Sequence, residues 1–329
     1  EEIVDGIRQQ LLKDGKELVL LIEDFAALAG IQQPLLNLMI AESDHGGVRV
    51  RAPIRTALAV TDGFLNRYLG GVPDLDRLCA VGRGSTLQRM LVGGAPAFSM
   101  GSISGFGVRG FSDNARARTA LMALYPGGAD LLTGTGAETL SITNLIAALP
   151  ADPGPQNGAA YGWDGLAKNL KEVARLIKAD VGLRVAVVDD GGWDTHNDQG
   201  VPEDPNGYFR GRTRQFSEAL QAFYQDLGGA MSEVTLVTMS EFGRTINENG
   251  SGGTDHGRAT SMFVLGHNVR GGVHGQFPDQ IVDAPEGDLT VLNDYRHVLA
   301  EVLATRGGAT DLGSVFPGYS GHTPLGLVA

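Results

Sequence analysis

The sequence predicts an α/β protein: a mostly parallel sheet covered by helices on both faces, a three-layer α/β/α sandwich. Three observations carry this. Short apolar runs alternate with segments of helical periodicity along the chain, the pattern of repeated β-α-β units. Polar clusters directly follow the apolar runs, so a parallel arrangement gathers them at one edge of the sheet. The 48 glycines, roughly twice the usual share, often stand in pairs and suit tight turns between such elements.

Residues 5–13 can form a short helix. GKELVLLIEDF (15–25) reads as a buried strand ending in Glu23 and Asp24. AALAGIQQPLLNLMIAE keeps helical spacing, with Pro34 as a kink or a helix start. SDHGG makes a polar turn, and TALAVTDG (56–63) a second strand, so this β-α-β stretch predicts parallel pairing. From Phe64 the glycine turns become frequent. Short strands are expected at RLCAVG (77–82) and APAFSM (95–100), and helices over 113–124 and 136–149. ADPGPQN (151–157) is a loop of turn formers.

GLAKNLKEVARLIKAD (165–180) places Leu166, Leu170, Val173, Leu176 and Ile177 on one helical stripe. The strand LRVAVVDD, a loop and a long helix over 207–227 come next. The strand EVTLVTMS (233–240), the loop EFGRTINENGSGGTDHG and the strand SMFVLG (261–266) follow. A glycine-rich hairpin, HNVRGGVHGQF, precedes a last helix from Asp294 to Thr305. No internal repeat is seen. The texture divides the chain into residues 1–62 and 63–329.

Bulk properties narrow the function. A chain of 329 residues suffices for two average domains or one large α/β domain. The net charge of −12 weighs against general nucleic-acid binding and against anionic membranes. It leaves a small phosphate or sulfate substrate open, because a bound cation reverses the local field. No apolar run reaches the roughly 18 residues of a membrane span. Cys79 has no internal partner, and its apolar setting suits an inert core residue. The chain opens with EEIVDG, without Met and without a basic-then-apolar leader, as expected of a piece of a longer or processed protein. Nothing sets the oligomeric state.

Three segments carry chemistry: GGWDTH with Asp194 and His196, GTDHG with Asp255 and His256, and GGVHGQ with His274. Carboxylate oxygen and imidazole nitrogen are a donor set for zinc, manganese or a related divalent ion. Taken alone, the Asp-x-His and Asp-His segments read first as turns with a capping Asp and a surface His. Together, each after a strand and each beside glycine, they predict a shared polar site. Arg244, in SEFGRT, suits either an oxyanion or a structural ion pair, for instance with Glu241. His45, His267, His297 and His322 are read as turn, loop and helix residues.

VAVVDDGGWDTHNDQG, LVTMSEFGRTINENGSGGTDHGRATSMFVLG, GGVHGQFP and NDYRHVLAEVL, in this order, resemble the bacterial family called domain of unknown function 1501. The resemblance runs from GFLNRYL at Gly63 to the C-terminus and includes YGWDGLAKNLKEVARLIKADVG. That family is similar to the alkaline phosphatase-like and sulfatase-like superfamily. The likeness implies an α/β/α sandwich with one or two metal ions at the carboxyl edge of the sheet, and hydrolysis of small anionic phosphate or sulfate esters. It implies Asp194 and His196 as ligands of one ion, with His274 as a third. It implies Asp255 and His256 as the Asp-His pair of the other. It also implies export, commonly by the twin-arginine route. The absence of a leader leaves a cytoplasmic location open.

The superfamily's first metal-binding Asp and its nucleophile lie in an N-terminal part that residues 1–62 do not resemble. Cys79 is not in a sulfatase-type context. The resemblance therefore implies a fold incomplete at its N-terminal side, without a nucleophile that can be named.

Residues from KELVLLIEDF to TALAVTDG resemble instead the Walker B to sensor region of a P-loop ATPase of phage-defence type. That likeness places Glu23 and Asp24 where Mg²⁺ is held and water activated. No G-x-x-x-x-G-K-[ST] loop accompanies them, and a buried strand ending in acids is the favoured alternative. Three functions are therefore expected in turn: a metal-dependent hydrolase, inactive if its nucleophile is missing; a non-catalytic, exported metal-binding protein; and an ATPase fragment. The change of resemblance near TALAVTDGFLNRYL is the mark expected of a hybrid or truncated chain.

Overall fold

The computed structural model describes residues 18–22, 43–45, 48–50, 54–58, 62–108, 114–125, 131–276 and 288–329. Two compact units are formed, Glu1–Gly63 and Phe64–Ala329.

In the first unit, β1 (Leu18–Ile22) pairs in parallel with β4 (Ile54–Leu58), Leu18 opposite Ile54 and Ile22 opposite Leu58. The parallel pairing expected of this stretch is present, with the second strand two residues earlier than its apolar run suggested. β2 (Ser43–His45) and β3 (Val48–Val50) are antiparallel, with His45 opposite Val48, and the glycines of the expected SDHGG turn lie outside the described residues. The helices expected over 5–13 and 26–42, and the acidic pair Glu23 and Asp24, lie outside the described residues.

The second unit is built on a parallel three-stranded sheet. β5 (Ala80–Arg83) is central, flanked by β6 (Phe98–Met100) and β7 (Val185–Val188). A buried central strand needs apolar residues on both faces. Ala80 packs with Val187 against α1 (Phe64–Gly70), α6 (Tyr295–Thr305) and α7 (Leu312–Val315), through Leu69, Leu299, Leu303 and Val315. Val81 points the other way, as a period of two requires. It joins Ile142 and Ile146 of α3 (Leu131–Ala147) and Leu176 of α4 (Gly165–Lys178). A further short helix, α2, spans Asn114–Leu124. Cys79 is buried in this core, with its pKa raised by desolvation.

The apolar stripe read from residues 165–180 packs on α5 (Tyr208–Leu227). Leu166, Leu170 and Val173 meet Ala219, Leu220, Phe223 and Leu227. Asp164 caps α4 by accepting from the Ala167 N–H at 2.9 Å, an interaction worth about 1 kcal/mol. Beneath this pair lies a buried polar knot. Asp226 accepts from Lys178 Nζ at 2.7 Å, the Tyr161 hydroxyl at 3.0 Å and the Gln156 N–H at 2.6 Å. It ties the 153–161 loop to both helices.

Two expectations are corrected. EVTLVTMS and SMFVLG pair only over β8 (Leu236–Val237) and β11 (Val264–Leu265), and antiparallel. At the next pair the Thr238 N–H still donates to the Phe263 carbonyl at 2.9 Å, but the Phe263 N–H goes to the Thr238 hydroxyl at 3.0 Å in place of a backbone carbonyl. Among the described residues of HNVRGGVHGQF, 267–276, no ladder is formed within the segment. Val269 bridges to Val328 instead. The Glu301 carboxylate explains the exchange: it accepts the N–H groups of Leu325, Gly326, Leu327 and Val328, and so lays the C-terminal segment where Val269 can pair with it. Among the described residues no helix is long and apolar enough to cross a membrane.

Candidate metal centre

β7 delivers the chain to the first loop at the carboxyl edge of the sheet. Asp190 is fixed immediately. It accepts from Arg212 Nη2 at 2.8 Å and from Trp193 Nε1 at 2.9 Å. The Trp193 ring meets Phe209 and Phe216 edge-on, at 6.0 and 5.6 Å between centroids. Gly192, at φ 86°, turns the chain where a Cβ would lie 2.9 Å from the Tyr208 hydroxyl. The stretch before Asp194 is thereby anchored to α5.

The second loop is anchored by a short antiparallel ladder. β9 (Gly243–Arg244) pairs with β10 (His256–Gly257), Arg244 opposite His256. The two loops are then joined. Thr254 N–H donates to the Thr195 carbonyl at 3.0 Å, and Asn197 bridges to Gly252. The hydroxyls of Thr195 and Thr254 both bond to Gln199 Oε1, at 2.7 and 2.9 Å.

The outcome is a convergence of donors. Asp194 Oδ1 lies 3.1 Å from His196 Nε2 and 2.8 Å from His256 Nε2. The two Nε2 atoms are 3.1 Å apart. Divalent ions of this class hold such donors at ~2.0–2.2 Å, which spaces neighbouring donors by roughly 3 Å. The triangle fits. The side chains stay open to solvent, with Asp194 65%, His196 40% and His256 46% exposed. Phe242 stacks on the His256 ring at 3.9 Å and limits its rotation.

Charge is arranged around the triangle. Arg244 donates to Asp194 Oδ1 at 2.9 Å, to Thr254 Oγ1 at 3.2 Å and to the Thr254 carbonyl. The hydrogen bond from His256, then that from Arg244, holds the Asp194 carboxyl below the usual carboxylate range. Asp255 Oδ1 accepts from His196 Nδ1 at 2.7 Å and from Asn249 Nδ2 at 3.0 Å. Those two bonds, His196 first, lower its pKa as well. Both acids are ionised at neutral pH.

Asp194, His196 and His256 form one cluster drawn from both motifs. Asp255 stands behind His196. Arg244 pairs with Asp194, not Glu241, and its fork is spent on Asp194 and Thr254. His274 is not in the cluster; its Nε2 lies 2.8 Å from the Arg270 carbonyl. Asn249, Gln199 and Phe242 escaped the sequence reading. Only Asn249, in the glycine-rich NENGSGG, carried a signal, and that was a turn signal.

Residues 157–303 match the model of a family described as a protein of unknown function, DUF1501. That match supports the family resemblance over a stretch holding Asp194, His196, Arg244, Asp255, His256 and His274. No curated protein and no solved structure matches the chain.

Proposed function

We propose that the chain is a metal-dependent hydrolase of the alkaline phosphatase-like and sulfatase-like class, acting on small phosphate or sulfate esters in a three-layer α/β/α setting. One observation carries the reading: the convergence of Asp194 Oδ1, His196 Nε2 and His256 Nε2 at the carboxyl end of a parallel strand. A zinc or manganese ion bound there supplies a Lewis acid for a phosphoryl or sulfuryl oxygen and lowers the pKa of bound water to about 7. Arg244 keeps Asp194 aimed and ionised, and Phe242 keeps His256 from turning away. The resemblance that motivates this class also makes export part of the proposal.

Elemental analysis of protein purified without added metal tests the reading, with Asp194→Ala beside it. At least one equivalent of a divalent ion, lost in the variant, followed by turnover of phosphate or sulfate esters, is the expected result. A metal-free wild type would end it.

A second reading is a metal-binding protein without catalysis. It is favoured by two hydroxyls beside the cluster, Thr195 and Thr254, both committed to Gln199 and so poorly placed to attack an ester. Metal without turnover on either ester class would select it.

A further inference from the structure

We infer that Gln199 is a positioning residue of the metal centre. Its amide oxygen ties Thr195, which stands between two of the donors, to Thr254, which anchors the loop of the third. The inference rests on the metal reading above and deepens it: Gln199 acts on the donors through the two threonines.

Thr195 carries the first half of the argument. It is 4% exposed, whereas its neighbours Asp194 and His196 lie open to solvent. The chain turns one side chain inward and the two donors beside it outward. The inward hydroxyl meets Gln199 Oε1 at 2.7 Å. A buried hydroxyl needs such a partner. Without it the segment gains by rolling outward, and Asp194 and His196 turn with it. Thr254 carries the second half. Its hydroxyl meets the same Gln199 oxygen at 2.9 Å and receives Arg244 Nε at 3.2 Å. Arg244 in turn holds Asp194 Oδ1 at 2.9 Å and stands opposite His256 in the β9–β10 ladder.

An amide oxygen has two lone pairs, so it takes both hydroxyls at once. Gln199 is itself held in place. Its N–H donates to the Gly252 carbonyl at 2.8 Å, and its carbonyl accepts the Phe209 N–H at 3.0 Å. The second loop and α5 thereby fix the backbone from which the amide reaches. Backbone bonds between Thr254 and Thr195, and between Asn197 and Gly252, align the two loops. The Gln199 oxygen sets how their side chains roll about that alignment, and so where Asp194, His196 and His256 point.

Cobalt(II) is the probe, because its visible absorption reports the arrangement of its ligands. The full chain is used as wild type, Gln199→Leu, Gln199→Glu and the paired variant Thr195→Val with Thr254→Val. Affinity is read by competition with a chelating dye, the spectrum at saturating cobalt, and the melting temperature on metal-free protein. Gln199→Leu is expected to weaken cobalt binding by about 10-fold, the lower end for partners that orient ligands, and to shift the visible spectrum. Gln199→Glu keeps the length and an oxygen acceptor, and should stay close to wild type. The threonine pair should behave like Gln199→Leu, and adding Gln199→Leu to it should cost nothing further, since members of one network are not additive. The threonine variants keep their shape, so they decide the matter even if Gln199→Leu fails to fold. A lower melting temperature with wild-type affinity and spectrum would make the role one of stability alone, overturning the inference and leaving the metal reading standing. Losses that add in full would overturn it too. Wild type that binds neither cobalt nor zinc would sink the metal reading itself, and the inference with it.

Discussion

Gly253 and His196 meet backbone to backbone. A Cβ added to Gly253 would lie 2.3 Å from the His196 carbonyl carbon and 2.4 Å from the Thr195 carbonyl oxygen. The crossing of the two loops therefore leaves no room for any other residue. Gly253→Ala should force the loops apart and misplace the three donors. Strain of about 1–3 kcal/mol, typical of overpacking, corresponds to zinc affinity weakened by roughly 5- to 150-fold. The sheet and its helices should be spared. Dye competition against an unchanged circular dichroism spectrum checks this; wild-type affinity would show the contact to be dispensable.

Arg244 uses three nitrogens on Asp194 and Thr254. A lysine keeps the charge and loses the planar fork. Arg244→Lys is expected to lower zinc affinity nearly as much as Arg244→Ala. Isothermal titration of both variants decides it. Full recovery in the lysine variant would mean that charge alone matters.

Metal bound only to the folded chain adds to its stability. At free zinc 100 times the dissociation constant the gain is about 2.7 kcal/mol. Chelator should therefore lower the melting temperature of wild type and leave that of Asp194→Ala where it was. Equal melts of wild type with and without chelator would contradict the metal reading.

Asp226 is 2% exposed and pairs with Lys178. Removing one partner of a buried pair leaves the other charge uncompensated, at a cost of about 3–5 kcal/mol. Asp226→Ala should lose stability on that scale, while Lys178→Ala should lose less because Lys178 is partly exposed and can rehydrate. Urea unfolding of both variants reads the difference, and equal small losses would refute it.

Tyr161 supplies a pH signature. Burial, then the charge of Asp226, raises its pKa above the ordinary tyrosine value, which is about 10. The folded state thus favours the neutral phenol. Below about pH 10 both states keep the proton and the contribution is fully present. Above that pH the unfolded chain ionises while the folded chain does not, so stability falls as pH rises. Tyr161→Phe should flatten this alkaline decline. Identical slopes in urea melts above pH 10 would remove Tyr161 as its source.

Local pattern was enough for much of this protein. The stripe of Leu166, Leu170 and Val173, the apolar run at Val185–Val188 and the Asp294-capped helix Tyr295–Thr305 are period and capping signals, carried by neighbouring residues. So are Asp194, His196 and His256 as donor types beside glycines. Partner choice was not legible. EVTLVTMS reads as a full strand, yet the Phe263 N–H goes to the Thr238 hydroxyl in place of a backbone carbonyl. HNVRGGVHGQF reads as a hairpin, yet Glu301, from α6, sets the C-terminal segment beside it. In the same way Asp255 and His256 read as a pair, although Asp255 faces Nδ1 of His196 while His256 faces Asp194. A sequence states which atoms can donate or accept. Residues some sixty positions apart are brought together by loop crossing and backbone pairing, so only the tertiary structure decides which lone pair each proton meets.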